Sequence, residues 1–215
     1  MLKERVEEYL GAIYRLRAGP GTPVPLSELT EYFGFSPVSV HEMVQKLDDR
    51  GWVVYHPYRG VTLTEKGEGV AKAVLRRHRL WERFLTDSLG ISWDEAHVIA
   101  GRLEHVATES VTERLAAFLG EPKACPHGGP IPPGTGPSST HRLRSLEVGT
   151  EAEIVRIAPE TSELLRRVAE RDLLPGRRVE IVAQEEAKTA LRLDGADETV
   201  EVPAADAAFI WVEVM

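Results

Sequence analysis

Cysteine is nearly absent: the 215 residues contain one, Cys125. A single thiol excludes an intrachain disulfide framework and a cysteine-rich zinc finger, and it suits a reducing compartment. No apolar run approaches the ~18 residues needed to cross a bilayer, and residues 1–10 carry charges where a signal peptide has its apolar stretch. The expectation is a cytoplasmic protein with no membrane partner. Nucleophile elbow, P-loop and dinucleotide fingerprint are also lacking, so those enzyme classes have no motif support. What remains is 42% apolar and 28% charged, a globular composition with room for one large domain or two to three small ones.

The net charge of −8 speaks against a nucleic-acid partner only until it is divided along the chain. Residues 1–63 carry −1, 64–90 carry +2, 91–140 carry −3 and 141–215 carry −6. Screening confines surface electrostatics to about 8 to 10 Å, so an N-terminal module can still present a basic face to phosphates.

From Val6 to Leu16 apolar residues recur at three- and four-residue steps, which predicts a helix with one buried stripe. It ends at Gly19-Pro20-Gly21. A second helix is expected from Ser27, read as its N-cap, to Phe33. A third opens with Ser36 as cap and Pro37 at the first helical position, and carries Val40, Met43, Val44 and Leu47 inward. Two short helices joined at Gly34 make a helix-turn-helix. The tetrads 52–55 and 61–64, separated by His56-Pro57-Tyr58-Arg59-Gly60, add a hairpin, and the whole reads as a winged helix.

A long helix is expected from Thr64 to about Leu89, then a capping box at Ser92 and Glu95 opening a helix toward His105, and a further helix over 109–119. Residues 122–139 hold six prolines and four glycines and read as a linker. Beyond it, β-prone runs at 151–157, 178–182, 189–193, 199–202 and 209–214 surround a helical insert over 160–171, which suggests a small β-barrel. The fold class is mainly α with β, divided as 1–63, 64–121, a linker over 122–144, and 145–215.

A recognition helix reads base edges from its N-terminal turn, which here offers Ser36, Pro37, Ser39, His41 and Glu42, with Gln45 and Lys46 one turn on. Arg50, Tyr58 and Arg59 flank it as phosphate contacts. The alternative is a winged helix used for protein contacts. Without Arg or Asn at the reading positions, modest direct readout and more reliance on DNA shape are expected.

His78 and Glu82 are four apart and leave one helix face, while His97, Glu104 and His105 share a face of the next helix. Any one of these is ordinarily a hydrogen-bonded side chain, but five imidazoles and carboxylates together suit Mn²⁺, Fe²⁺, Co²⁺, Ni²⁺ or Zn²⁺. Glu7 or Glu8 on helix 1 is a third candidate. Cys125-Pro126-His127 falls in the Gly/Pro-rich segment and reads as linker.

These motifs carry a resemblance. Glu8-Tyr9-Leu10-x-x-Ile13-Tyr14-x-Leu16, Ser36-Pro37-Val38-Ser39-Val40, Leu63-Thr64-x-x-Gly67, Arg77-His78-Arg79-Leu80-x-Glu82-x-Phe84-Leu85, Leu103-Glu104-His105 and Gly129-Pro130-Ile131-Pro132 together resemble the diphtheria toxin repressor family of metal-dependent transcriptional repressors. The resemblance spans nearly the whole chain and implies a helical metal-binding and dimerisation domain, a C-terminal SH3-like domain, a homodimer, and a double-stranded DNA operator. It implies one metal site at Glu8, Glu104 and His105 and another at His78, Glu82 and His97, completed from the C-terminal domain by Glu160 or Glu163. Gly101 and Gly11 stand where family members have further ligands, which makes His78/Glu82/His97 the better-equipped site. An acidic residue at position 8 favours Mn²⁺, with Fe²⁺ the alternative and Zn²⁺, Co²⁺ or Ni²⁺ binding in vitro. The competing functions are a metal-dependent hydrolase and a metal-buffering or transport accessory protein.

Overall fold

The computed structural model describes residues 2–136, 139–196 and 198–215. The expected linker therefore includes two residues, Pro137 and Ser138, that lie outside the described ones. The chain divides into two compact units, residues 1–76 and 77–215.

The first unit runs α1 (Leu2–Leu16), α2 (Leu26–Phe33), α3 (Pro37–Asp49), β1 (Val53–His56) and β2 (Gly60–Leu63), and α4 (Glu65–Arg83) begins in it. Its core is the predicted stripe of α1, with Tyr9, Leu10 and Ile13 against Leu29, Val40, Val44 and Leu47. The turn between α2 and α3 forms because Gly34 takes φ 64°, a left-handed conformation natural to glycine, while Ser36 caps α3 by accepting from the Ser39 amide at 3.2 Å. Ser27 does not cap α2. The helix starts one residue earlier at Leu26, and the amides of Glu28 and Leu29 bond the Pro25 carbonyl instead. The hairpin pairs Val53 with Leu63 and His56 with Gly60, and Val24 adds a third segment through two backbone bonds to Val61.

The second unit holds the end of α4, then α5 (Trp93–Leu103), α6 (Glu109–Phe118), β3 (His141–Arg142), β4 (Glu151–Ile157), α7 (Ser162–Ala169), β5 (Arg178–Gln184), β6 (Lys188–Leu193), β7 (Thr199–Pro203), α8 (Ala204–Ala207) and β8 (Ile210–Val214). Regular helix stops at Arg83, short of the expected Leu89, and a π turn over Phe84–Ser88 follows. The wider turn sends Phe84 toward Trp81 and Phe118 and buries Leu85 against Ala96 and Ala100. Ser92 occupies the N-cap position of α5, but its hydroxyl makes no cap bond.

The strands form one antiparallel sheet in the order β3-β8-β4-β5-β6-β7, curved by bulges at Val155 in β4 and near Val182 in β5. Its core, built on Ile154, Leu165, Ile181, Leu191 and Val212, also receives Trp93 from α5. Asp94 binds Arg166 of α7 at 2.9 Å, so helices and sheet are one packed body.

Candidate metal centre and nucleic-acid interface

Glu82 is 0% exposed. A carboxylate taken wholly out of water must be paired or bound to a cation, since an isolated buried charge is too costly to persist. Its Oε1 is ringed by three imidazoles: His78 Nε2 at 2.9 Å, His97 Nδ1 at 2.8 Å and His127 Nδ1 at 3.6 Å. His78 Nε2 and His97 Nδ1 are themselves 3.2 Å apart. The second oxygen, Oε2, and His127 Nε2 are buried with no hydrogen-bond partner. Nitrogens converging on one oxygen, with orphaned polar atoms alongside, form a donor set for a divalent cation.

The helical spacing of His78 and Glu82 places both on the inward face of α4, and α5 supplies His97. The third imidazole comes from the segment read as linker. Cys125 and His127 are buried, Cys125 Sγ lies 3.8 Å from His127 Nδ1, and Glu82, Cys125 and His127 form a second three-donor group. A tight turn brings them in. The Cys125 amide bonds the Gly129 carbonyl at 2.8 Å and the Gly128 amide bonds the Cys125 carbonyl at 2.9 Å. The two glycines are needed because a side chain at Gly128 would collide with the Val155 carbonyl at the β4 bulge, and one at Gly129 with Arg79 and Glu160. The Ile157 amide, bonding the His127 carbonyl at 2.9 Å, pins the turn to the sheet. The linker reading therefore fails for 125–129, where close packing replaces regular structure. A Cys-x-His spacing followed by paired glycines was the available signal.

Glu160 is the C-terminal-domain carboxylate that reaches this centre, with Oε1 3.9 Å from Cys125 Sγ and 3.4 Å from Arg79 Nη2. Glu163, in the first turn of α7, is exposed. On the other side, Glu104 Oε2 lies 2.6 Å from His78 Nδ1, and Glu104 Oε1 lies 3.3 Å from His105 Nε2. Glu104 and His105 follow the last turn of α5 rather than lying within it, and the Arg77 guanidinium holds the Glu104 carbonyl at 2.5 Å. His78 thus touches carboxylates at both ring nitrogens. In the first unit Glu7 is buried and Glu8 is exposed.

Electrostatics follow this wiring. Burial pulls the His78 pKa down, but Glu82 and Glu104 outweigh it and push it up to about 9. Burial raises Glu82, yet the imidazoles around it hold its carboxyl well below the usual range. The Cys125 thiol is pushed well up, first by burial and then by Glu160 and Glu82. Burial also lowers His127, and for Glu160 the Arg79 guanidinium more than offsets burial.

The predicted DNA-reading residues form a surface. Ser36, Pro37, Ser39, Glu42, Gln45, Lys46, Arg50, Tyr58 and Arg59 are exposed, while His41 is half-buried with its ring edge-on to Tyr55 at 5.4 Å. Ser36 and Ser39 hydroxyls lie 2.9 Å apart, so part of their hydrogen-bonding capacity is used within the cap. Val38, 67% exposed beside Pro37, adds to this face an apolar side chain that is not among the residues expected there.

Residues 1–61 match the family described as iron dependent repressor, N-terminal DNA binding domain, and residues 64–133 match its metal binding and dimerisation domain. Iron-dependent repressor IdeR of Mycobacterium tuberculosis is 34% identical over 195 residues, covering 84% of each chain. The chain belongs to the iron-dependent repressor family. It is a metal-dependent DNA-binding repressor, and its relatives are transcriptional regulators rather than enzymes. Residues 141–214 match the FeoA domain, in accord with the expected small SH3-like C-terminal fold. Among solved structures, a manganese-dependent transcriptional repressor in complex with manganese is 31% identical with a TM-score of 0.87, covering 98% of this chain and 100% of that one. ScaR with bound Zn²⁺ is 28% identical with a TM-score of 0.80, covering 98% and 99%. Among the described residues no helix is long and apolar enough to cross a membrane.

Proposed function

We propose that this chain is a manganese-responsive repressor, with Fe²⁺ as the alternative co-repressor, acting as a homodimer on a double-stranded operator in the cytoplasm. The observation that carries the reading is Glu82: a fully buried carboxylate ringed by three imidazoles, with an orphaned second oxygen, in a chain whose first unit presents an exposed helix-turn-helix face. The residues that would hold the metal are His78, Glu82, His97, His127, Cys125 and Glu160. A bound cation supplies positive charge and a fixed coordination geometry at that point. Oxygen and imidazole donors outnumber the single thiol, which suits Mn²⁺ or Fe²⁺. The thiol adds a soft donor that Zn²⁺ or Co²⁺ would engage in vitro. Glu8, Glu104 and His105 keep the ligand role that family likeness implies.

The protein's contribution to switching is order. His127 and Cys125 come from the 125–129 turn, Glu160 from the sheet unit's edge, and His78, Glu82 and His97 from two helices, so only a folded, closed arrangement presents all of them together. Val98, Val106, Val111 and Phe118 leave apolar surface exposed on α5, α6 and the turn between them, the face proposed for the dimer contact. Two-fold pairing would set two recognition helices one duplex turn, about 34 Å, apart. Moving such an equilibrium from 1:99 to 99:1 takes about 5.5 kcal/mol of differential metal binding.

The test is fluorescence anisotropy of labelled DNA upstream of the chain's own coding sequence, titrated with Mn²⁺, Fe²⁺, Zn²⁺ or chelator in parallel. Metal-dependent binding is expected, lost in His78→Ala with the dimer still folded, and Glu8→Met should shift relative potency from Mn²⁺ toward Fe²⁺. Equal binding in chelator overturns the reading.

A further inference from the structure

The donors around Glu82 do not surround one point. Those within 4.8 Å of one another fall into two groups, His78, Glu82 and His97 in one and Glu82, Cys125 and His127 in the other, with only Glu82 common to both. The groups also differ in spacing. In the first, the nitrogens and the Glu82 oxygen sit 2.8 to 3.2 Å from one another, at hydrogen-bond distance. In the second, His127 Nδ1 is 3.6 Å from Glu82 Oε1 and 3.8 Å from Cys125 Sγ, and Glu160 Oε1 adds a fourth donor 3.9 Å from that sulfur. A tetrahedral ion with bonds of about 2.0 Å to oxygen and nitrogen and about 2.3 Å to sulfur spaces its donors roughly 3.3 to 3.6 Å apart. The second group stands within about 0.4 Å of that frame.

Fixed backbone delivers these side chains. The 125–129 turn is closed by its own hydrogen bonds and tied to β4 through the Ile157 amide. Glu160 stands in the short link between β4 and α7, where the Ala158 amide bonds the Phe209 carbonyl at 3.0 Å. Arg79 backs Glu160 at 3.4 Å and is itself bound to the Pro130 carbonyl, which orients the carboxylate as the outer partners of ligating carboxylates do. Glu82, Cys125 and His127 are all buried, and Glu82 Oε2 has no hydrogen-bond partner. A thiol, an imidazole and two carboxylates supply four protein donors, the composition of a closed site for a borderline-soft cation.

We propose, building on the metal-binding reading above, that the centre holds two cations: Mn²⁺ or Fe²⁺ on the His78 and His97 side, and a tetrahedral Zn²⁺ on Cys125, His127 and Glu160, with the Glu82 carboxylate bridging them. Glu82 suits the bridge because Oε1 already carries the imidazole contacts while Oε2 is unpartnered, and a carboxylate can accept at both oxygens. When Zn²⁺ bonds the Cys125 sulfur, the thiol proton passes to solvent. The second ion is structural. It fastens the 125–129 turn and the link before α7 onto α4, and so sets where Glu82 stands when the first ion is sensed.

The test uses metal-stripped full-length protein, with Co²⁺ as the optical stand-in for Zn²⁺. One equivalent of Co²⁺ should produce a sulfur-to-cobalt band together with the strong visible bands of tetrahedral cobalt, and one equivalent of Mn²⁺ added afterwards should leave both in place. His97→Ala, at a half-buried position, should keep these bands with Co²⁺ affinity within about threefold, while Cys125→Ser loses the sulfur band. Adjacency is read by electron paramagnetic resonance: Mn²⁺ should give a sharp hyperfine spectrum beside Zn²⁺ and a broadened one beside Co²⁺, since bridged ions stand about 3.5 to 4 Å apart. Loss of the sulfur band on adding Mn²⁺, or in His97→Ala, would mean one ion shared by both groups and overturns the proposal. A parent protein without the sulfur band overturns it too, as do Mn²⁺ spectra that do not distinguish Co²⁺ from Zn²⁺. The Mn²⁺ addition and the resonance measurement need no variant. If isothermal titration finds that the parent binds neither Co²⁺ nor Mn²⁺, the metal-binding reading itself falls, a result distinct from these.

Discussion

Glu82→Gln keeps the shape of the buried side chain and removes only its charge. Oε1 stands 2.8 to 2.9 Å from two imidazoles and 3.6 Å from a third, so the amide would occupy the same space but could not neutralise a cation held among them. An outer-shell partner of a metal costs 10- to 100-fold in affinity when removed, so a ligating carboxylate should cost at least about 100-fold. Metal at 100 times its Kd stabilises the folded protein by about 2.7 kcal/mol, whereas at its Kd it contributes about 0.4 kcal/mol. For a chain of this size 1 kcal/mol moves the Tm by about 2 to 4 °C, so Mn²⁺ should raise the Tm by roughly 5 to 11 °C in the parent protein and about 1 to 2 °C in the variant. Thermal denaturation with Mn²⁺ and with chelator, at one fixed metal concentration, reads both numbers. A Glu82→Gln protein whose Tm rises as far as the parent's would refute the assignment of Glu82 as the centre of the metal site.

Three further outcomes follow from the same geometry. Cys125→Ser should leave the Mn²⁺ response within a fewfold but weaken Co²⁺ and Zn²⁺ more strongly, and the sulfur-to-cobalt charge-transfer band in the near ultraviolet should vanish; a band that survives places the thiol outside the coordination sphere. Gly129→Ala should weaken metal binding about tenfold or more, because its new methyl meets Arg79 and Glu160, and isothermal titration at unchanged affinity would show that this turn does not shape the site. Glu68 in the first unit, 2.8 Å from Arg17 and 2.9 Å from Lys72, has its pKa lowered from 4.5 to about 2, chiefly by Arg17. A depressed carboxyl contributes stability above its unfolded pKa and loses it as pH falls toward the folded value. With the side chain 27% exposed, Glu68→Gln should cost about 1 kcal/mol at neutral pH, a difference that shrinks progressively below about pH 4.5 in urea denaturation; a constant difference across that range would contradict it.

Much of this protein was legible in its amino-acid order, because the informative signals are local. Apolar steps of three and four place the stripes of α1 and α3, Ser36-Pro37 marks a helix start, and alternation marks the strands from Glu151–Ile157 to Ile210–Val214 within a residue or two. The four-residue spacing of His78 and Glu82 was enough to put both on one face. Where local signals compete, they were less decisive: Ser27 resembles a cap, but the chain direction at Pro25 starts the helix earlier, and a π turn replaces the last expected turn of α4 because Phe84 and Leu85 pack in different directions.

The sequence by itself determined the element types and the helix-turn-helix, and it offered five ligand candidates, His78, Glu82, His97, Glu104 and His105, from periodicity within single segments. The tertiary structure alone decided that Cys125 and His127 leave the apparent linker and pack beside Glu82 in the candidate metal centre, that Glu160 rather than Glu163 lies beside them, and that Glu7 is buried while Glu8 is exposed. His127 meets Glu82, and Arg79 meets Glu160, across long stretches of chain. A Gly/Pro-rich segment has no period from which to read an inward face, so its partners are set by which surfaces it can approach closely. Here that is the β4 bulge and α4, reached only because Gly128 and Gly129 lack side chains.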